Sequence, residues 1–127
     1  KISKLFIFFN IEEMLKSKTA EKKGIDNEYP RIEALCNAFK VLKRLDLVRA
    51  HMDKPIFINS GYRCKELNKA VGGVETSYHM KGLAVDFRTK NKEDIPRMYN
   101  FLQTKMIRFN IQEQIKYDTL IHMAIKP

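Results

Sequence analysis

The stretch Ser77-Tyr78-His79-Met80-Lys81-Gly82-Leu83-Ala84-Val85-Asp86, answered near the end of the chain by Leu120-Ile121-His122-Met123, decides how this sequence reads. Two imidazoles and one carboxylate are the set a hydrolytic zinc uses when its fourth position must stay open for water. His79 and Asp86 are seven residues apart, too far for one helical face, but Gly82 between them can bend the chain back toward the same point. Beyond the glycine, Ala84 and Asp86 share one face of a strand while Leu83, Val85 and Phe87 share the other. That alternation sends the carboxylate to a cleft and the apolar side chains to a core. His122 sits in the short, apolar, partly β-branched run Thr119 to Ile125, which reads as a buried strand able to supply the third ligand. His79, Asp86 and His122 together look like a Zn2+ site, although a strand histidine taken alone is more often structural, and it is the full motif that makes His122 an expected ligand.

Working outward, Pro55 to Asn59 reads as a strand, Ser60-Gly61 as a turn, and Cys64 to Ala70 as a short helix closed by Gly72-Gly73. Asn10 is placed to cap a helix from Ile11, with Glu13 as its capping-box partner, running to Gly24. Pro30 opens a longer helix in which Ile32, Leu35, Cys36, Phe39, Leu42 and Leu45 recur at three- and four-residue spacing, ending before Pro55. Lys90 to Asp94 is a polar linker, and Asn91 caps a helix to about Lys105 with Pro96 in its first turn. Two strands, Ile107 to Ile115 and Thr119 to Ile125, close the chain, joined as a hairpin by Lys116-Tyr117-Asp118. The expected fold is α+β: one domain over residues 1–127, with amino-terminal helices packed on a small, mainly antiparallel sheet that carries the zinc cleft.

Composition narrows the function classes. The hydrophobic fraction of 44% fits a packed core rather than a disordered chain. No apolar run approaches the roughly 20 residues needed to span a bilayer, so membrane insertion is not expected. The opening Lys1-Ile2-Ser3-Lys4-Leu5-Phe6-Ile7-Phe8-Phe9 reads as a first strand or packed arm rather than a signal peptide. The sequence does not begin with Met, which leaves a removed leader open. Lys and Arg number 24 against 15 Asp and Glu, and the resulting +9 points to an anionic partner. The cations are spread along the chain without interleaved aromatics, so nucleic acid is not expected, and an anionic cell wall or a merely solvated surface fits equally well. Cys36 falls on the apolar face of the long helix and is expected in the core; Cys64 has no partner that would make it a nucleophile.

Ser77, His79, Gly82, Ala84 and Asp86 meet every fixed position of the pattern Ser-x-His-x-x-Gly-x-Ala-x-Asp. Upstream stand Ser60-Gly61-Tyr62-Arg63 and Leu67-Asn68-Lys69-Ala70-Val71-Gly72-Gly73, and at the beginning Ile11 to Leu15 and Gly24 to Asn27. With these segments the chain resembles, over nearly its whole length, the zinc D-Ala-D-Ala carboxypeptidase and L-Ala-D-Glu endopeptidase family of peptidoglycan peptidases. It is more similar to the phage and prophage, endolysin-like branch.

The resemblance implies a monomeric zinc metallopeptidase, made in the cytoplasm and acting on peptidoglycan peptides by an export route this chain does not encode. Arg63, on its turn, would hold a substrate carboxylate or steady the developing oxyanion, as the corresponding family arginine is thought to do. Ser77 and Tyr78 would contribute to substrate binding, Ser77 by supporting the His79 loop. Tyr62 fits the cleft wall and aromatic packing equally. The pattern weakens at the general base. Many family members carry an acid three positions before the last ligand histidine, where this chain has Thr119. Asp118 is the expected base, although in a regular strand it would stand roughly 13 Å from His122, so a turn must close the gap. Glu113 is a weaker substitute, and His51 has no motif around it. The competing class is a zinc-containing wall-binding or structural module that has lost its base.

Overall fold

The computed structural model describes residues 6–127. Four strands, β1 (Ile56–Ser60), β2 (Ala84–Thr89), β3 (Ile111–Lys116) and β4 (Ile121–Ile125), form one sheet in the order β1-β2-β4-β3 with every neighbouring pair antiparallel. Four α-helices accompany it: α1 (Lys18–Lys23), α2 (Ile32–Met52), α3 (Lys65–Ala70) and α4 (Ile95–Thr104). The α+β expectation of helices with a small antiparallel sheet holds.

Strand alternation gives the sheet two different faces. Val85 and Phe87 of β2, with Ile121, Met123 and Ile125 of β4, are fully buried and pack with Leu42, Leu45 and Val48 of α2 and with Met98 and Leu102 of α4. The opposite face carries Asp86 and His122, which are register partners across β2 and β4. Burying apolar side chains of this size stabilises the fold by about 1.5–3 kcal/mol each, so the register that faces them inward is strongly specified, and it aligns the two polar residues as a consequence.

The first helix is broken. Asn10 and Glu13 form the expected capping box, but on a single 3-10 turn, Ile11–Met14. Ser17 then accepts a hydrogen bond from the Ala20 N–H and caps α1 anew. The Leu15 carbonyl is satisfied by the Asn27 side-chain amide instead of by a helical donor. The described part of the opening segment behaves as a packed arm: Phe6 and Phe9 are buried, and the Ile7 and Phe8 N–H groups donate to the Asp46 carboxylate. Residues 1–5 of that segment lie outside the described residues.

Helix α2 is rotated from its expected face. Its buried residues are Ala34, Ala38, Val41, Leu42, Leu45, Val48 and Met52, while Ile32 and Cys36 are exposed, so Cys36 is not a core residue. Small residues explain the rotation. Gly82 sits in the left-handed region at φ 75°, and a Cβ there would collide with the Ala34 carbonyl oxygen. Ala34 and Gly82 thus let the helix backbone and the bend of the His79 loop touch directly, a contact a pattern of large apolar residues does not register.

Strand β3 begins at Ile111, later than expected, because residues 105–110 form turns that end at Asn110 with φ 57°. Among the described residues no helix is long and apolar enough to cross a membrane.

Candidate metal centre

Each residue of the cluster is delivered by a different local device. His79 lies on a 3-10 turn, Tyr78–Lys81, whose start is capped by Ser77: its hydroxyl oxygen accepts the His79 N–H at 3.2 Å. The turn is closed by Gly82. Asp86 and His122 come from adjacent strands. Arg63 follows the β1 end, where its backbone N–H donates to the His79 carbonyl at 3.1 Å and ties the two loops together.

His122 Nδ1 lies 2.7 Å from Asp86 Oδ1, and His79 Nε2 lies 3.3 Å from the same oxygen. The three candidate ligand atoms fall within 4.8 Å of one another. Donors on a tetrahedral zinc at about 2.1 Å stand about 3.4 Å apart. Two of the separations are near or below that value, so an ion between the atoms needs only a small opening.

The far nitrogens of both rings are also engaged. His79 Nδ1 is 2.7 Å from the Gly61 carbonyl oxygen, an acceptor only, so Nδ1 carries the proton and Nε2 presents its lone pair to the cluster. His122 Nε2 is 2.7 Å from Glu113 Oε1, which fixes that ring in the complementary sense and leaves Nδ1 for the cluster. The donor set, its spacing and its tautomers fit a divalent zinc-type ion.

Electrostatics agree. Burial pushes the Asp86 carboxyl up, but its interactions with His122 first and His79 second overcome it and hold the group well below the usual carboxylate range. Burial likewise disfavours the His122 imidazolium, and the Asp86 and Glu113 carboxylates on either side outweigh it and raise the pKa above 6.5. Without a metal, His122 can donate at both nitrogens; a bound ion would take the place of the Nδ1 proton.

The cluster lies in a cleft of about 570 Å³ lined also by Arg63, Ser77, Tyr78, Glu113, Ile115 and Tyr117. Arg63 is mostly buried, its Nε donates to Ser60 Oγ at 3.0 Å and its Nη1 to Asn68 Oδ1 at 3.2 Å, and its Nη2 lies 3.6 Å from Asp86 Oδ2. Burial lowers its pKa against the pull of Asp86, yet a guanidinium stays charged in water. Asn68 was not singled out by pattern, although it aims the guanidinium: it is 3% exposed and donates to the Val74 carbonyl with its other end.

Asp118 is not brought to the cleft. It stands in the β3–β4 hairpin with its side chain 84% exposed, 3.6 Å from Lys92 Nζ, so the turn expected to fold it back onto the cluster does not form. The carboxylate that does line the cleft is Glu113, placed there by an irregularity in the β3–β4 register between Ile111 and Glu113. Tyr62 is buried against Tyr29, ring centroids 5.0 Å apart, and is not among the cleft residues. His51 stacks on Phe101 away from the site, and Cys64 caps α3 by accepting the Leu67 N–H.

A His-Asp-His cluster on the open face of a small antiparallel sheet, with a guanidinium and a further carboxylate in the same cleft, is a donor set of the kind metal-dependent hydrolases use. The chain matches the family model of Peptidase M15 over residues 8–124, nearly its full length, and belongs to that family of metallopeptidases. No curated protein matches the chain.

Proposed function

We propose that this protein is a zinc-dependent peptidoglycan peptidase of the phage or prophage lytic type, hydrolysing a peptide bond next to a D-amino acid in cell-wall stem or cross-bridge peptides. One observation carries the reading: the donor atoms of His79, Asp86 and His122 lie within 4.8 Å of one another in a cleft shared with Arg63 and Glu113. When bound, zinc supplies Lewis acidity, polarising a carbonyl and lowering the pKa of a water.

The rest belongs to the chain. Arg63, braced by Ser60 and Asn68, presents a cation to a substrate carboxylate or to the carbonyl oxygen as it gains charge. Glu113, rather than Asp118, takes a proton from the attacking water and passes it to the leaving amine. The hydroxyl joins the carbonyl carbon, the C–N bond breaks, and the proton ends on nitrogen. Tyr78, from the turn that carries His79, and Tyr117, just after β3, line the same cleft and would wall the substrate.

The test is release of free amino groups from purified peptidoglycan with zinc supplied, comparing wild type, His79→Ala and chelator-treated protein. Release that vanishes in both controls supports the peptidase. No release from protein holding about one zinc per chain overturns it.

A second reading, a wall-binding module without turnover, draws on the Glu113 carboxylate being engaged with His122 while Asp118 lies outside the cleft. It predicts zinc and muropeptide binding with no new amino groups.

A further inference from the structure

Arg63 lines two clefts. On one side of it lies the metal-ligand cluster; on the other, a second cleft of about 540 Å³ runs between the Lys16–Glu21 segment, strand β1 and Arg88 of β2. Besides Arg63, its charged lining is Lys16, Lys18 and Arg88 against the single acid Glu21. Among the described residues none of Lys16, Lys18 and Arg88 forms an ion pair.

Isolated surface lysines are ordinarily only solvated. Here the cations border one concavity that meets the reaction centre at Arg63. Arg88 is also held in position, its guanidinium 5.1 Å over the ring of Phe57, a cleft-lining residue that is itself 43% exposed. Asp86 and Arg88 point to the same face of β2, about 7 Å apart along the strand, which is the reach of about two residues of extended peptide.

Building on the peptidase reading above, we infer that this second cleft is a subsite for a carboxylate-bearing segment of the substrate peptide. It lies about two residues from the bond cut, and the carboxylate is held by Lys16, Lys18 and Arg88 while Phe57 supports the peptide's apolar atoms. The +9 charge of the chain thereby acquires a local purpose beside the site. Specificity follows: peptides whose carboxylate is replaced by a carboxamide lose charge-assisted hydrogen bonds and bind less tightly.

The experiment measures binding by calorimetry of a soluble stem-peptide fragment bearing a free side-chain carboxylate and of the same fragment as its carboxamide, with inorganic phosphate as competitor. Proteins compared are wild type, the Lys16→Ala/Lys18→Ala double variant, Arg88→Ala and His79→Ala. The expected result is a preference of roughly tenfold for the carboxylate form in wild type. That preference is lost in the lysine and arginine variants, kept in His79→Ala, and not competed by phosphate at matched concentration. In turnover the lysine variant raises KM and leaves kcat unchanged.

Equal binding of the two fragments by wild type, or displacement by phosphate alone, overturns the subsite and leaves hydrolysis untouched. Absence of hydrolysis with the preference intact overturns the peptidase reading and leaves the subsite standing. Lys16 and Lys18 are exposed, so their removal should leave the fold intact, which circular dichroism of the double variant checks.

Discussion

Asp86 and His122 are register partners on adjacent antiparallel strands, and their side chains meet at 2.7 Å on the sheet face opposite the core. The apolar residues between which they alternate, Val85 and Phe87 on β2 and Ile121 and Met123 on β4, are completely buried. Core packing therefore assembles two of the three ligands before any metal arrives. A slip of one residue on either strand would send a charged side chain inward and its apolar neighbours outward.

Because the pair is preassembled, metal should bind a folded protein rather than fold it. Wild type is expected to hold about one zinc per chain. His79→Ala, Asp86→Ala and His122→Ala should each lose more affinity than the roughly 10–100-fold that follows loss of a ligand's hydrogen-bond partner. Metal analysis after dialysis against a zinc buffer, with circular dichroism on the same samples, checks this. Loss of secondary structure on chelation of wild type would contradict it.

Glu113 has two separable duties. Its carboxylate accepts a hydrogen bond from His122 Nε2–H and is the proposed acceptor of the water's proton. Glu113→Gln keeps the side chain's size and an oxygen able to face Nε2, so zinc affinity should change little while kcat falls about 10²–10⁴-fold. Glu113→Ala should lose both turnover and about 10–100-fold in zinc affinity. If Glu113→Gln retains wild-type kcat, the base lies elsewhere. Asp118→Asn, in the exposed hairpin, should leave kcat unchanged.

The site was legible where chemistry is carried by residue type at short spacing. Ser77, His79, Gly82 and Asp86 occupy one continuous motif, and His122 stood out as a polar residue within an apolar strand. Two features resisted reading because they depend on relations between distant segments. Glu113 reaches the cleft through a register irregularity between β3 and β4, and the inward face of α2 is set by the touch of Ala34 on Gly82. Hydrophobic periodicity ranks Cys36 and Ile32 above Ala34, whereas close backbone approach favours the smaller residue. The break after Met14 escapes local pattern for a related reason: it is stabilised by Asn27, a buried amide bonded to both Leu15 and Tyr62.

Acidity should act on the metal-free protein through His122 and Asp86 in opposite senses. The His122 pKa is raised above 6.5, so its contribution to stability is fully present below the unfolded value and fades as pH rises through the folded one. Asp86, depressed below 3.8, contributes above that value and loses its contribution only in strong acid. Metal-free protein should therefore become less stable from about pH 6.5 to a mildly alkaline pH. Zinc, which takes the nitrogen that His122 would otherwise protonate, should bind more tightly across the same interval. Calorimetric melting with and without zinc at both pH values checks the two signs, and a metal-free Tm that rises with pH would refute the first.

Gly82→Ala tests the bend on which the first ligand depends. The residue holds φ 75°, where an L side chain is strained by roughly 1–2 kcal/mol, and the added Cβ would also strike the Ala34 carbonyl oxygen. Backbone cannot yield as a flexible side chain does, so the total should exceed about 2 kcal/mol, a fall in Tm on the order of 5–10 °C for a domain of this size. Relief would come by shifting the Tyr78–Lys81 turn away from α2, and that turn carries His79. Zinc affinity should fall with stability in this variant. Ala34→Gly, which removes the α2 side chain but not the clashing carbonyl, should not rescue it. A Gly82→Ala protein with wild-type Tm and zinc affinity would show that the bend is more compliant than its contact with α2 implies.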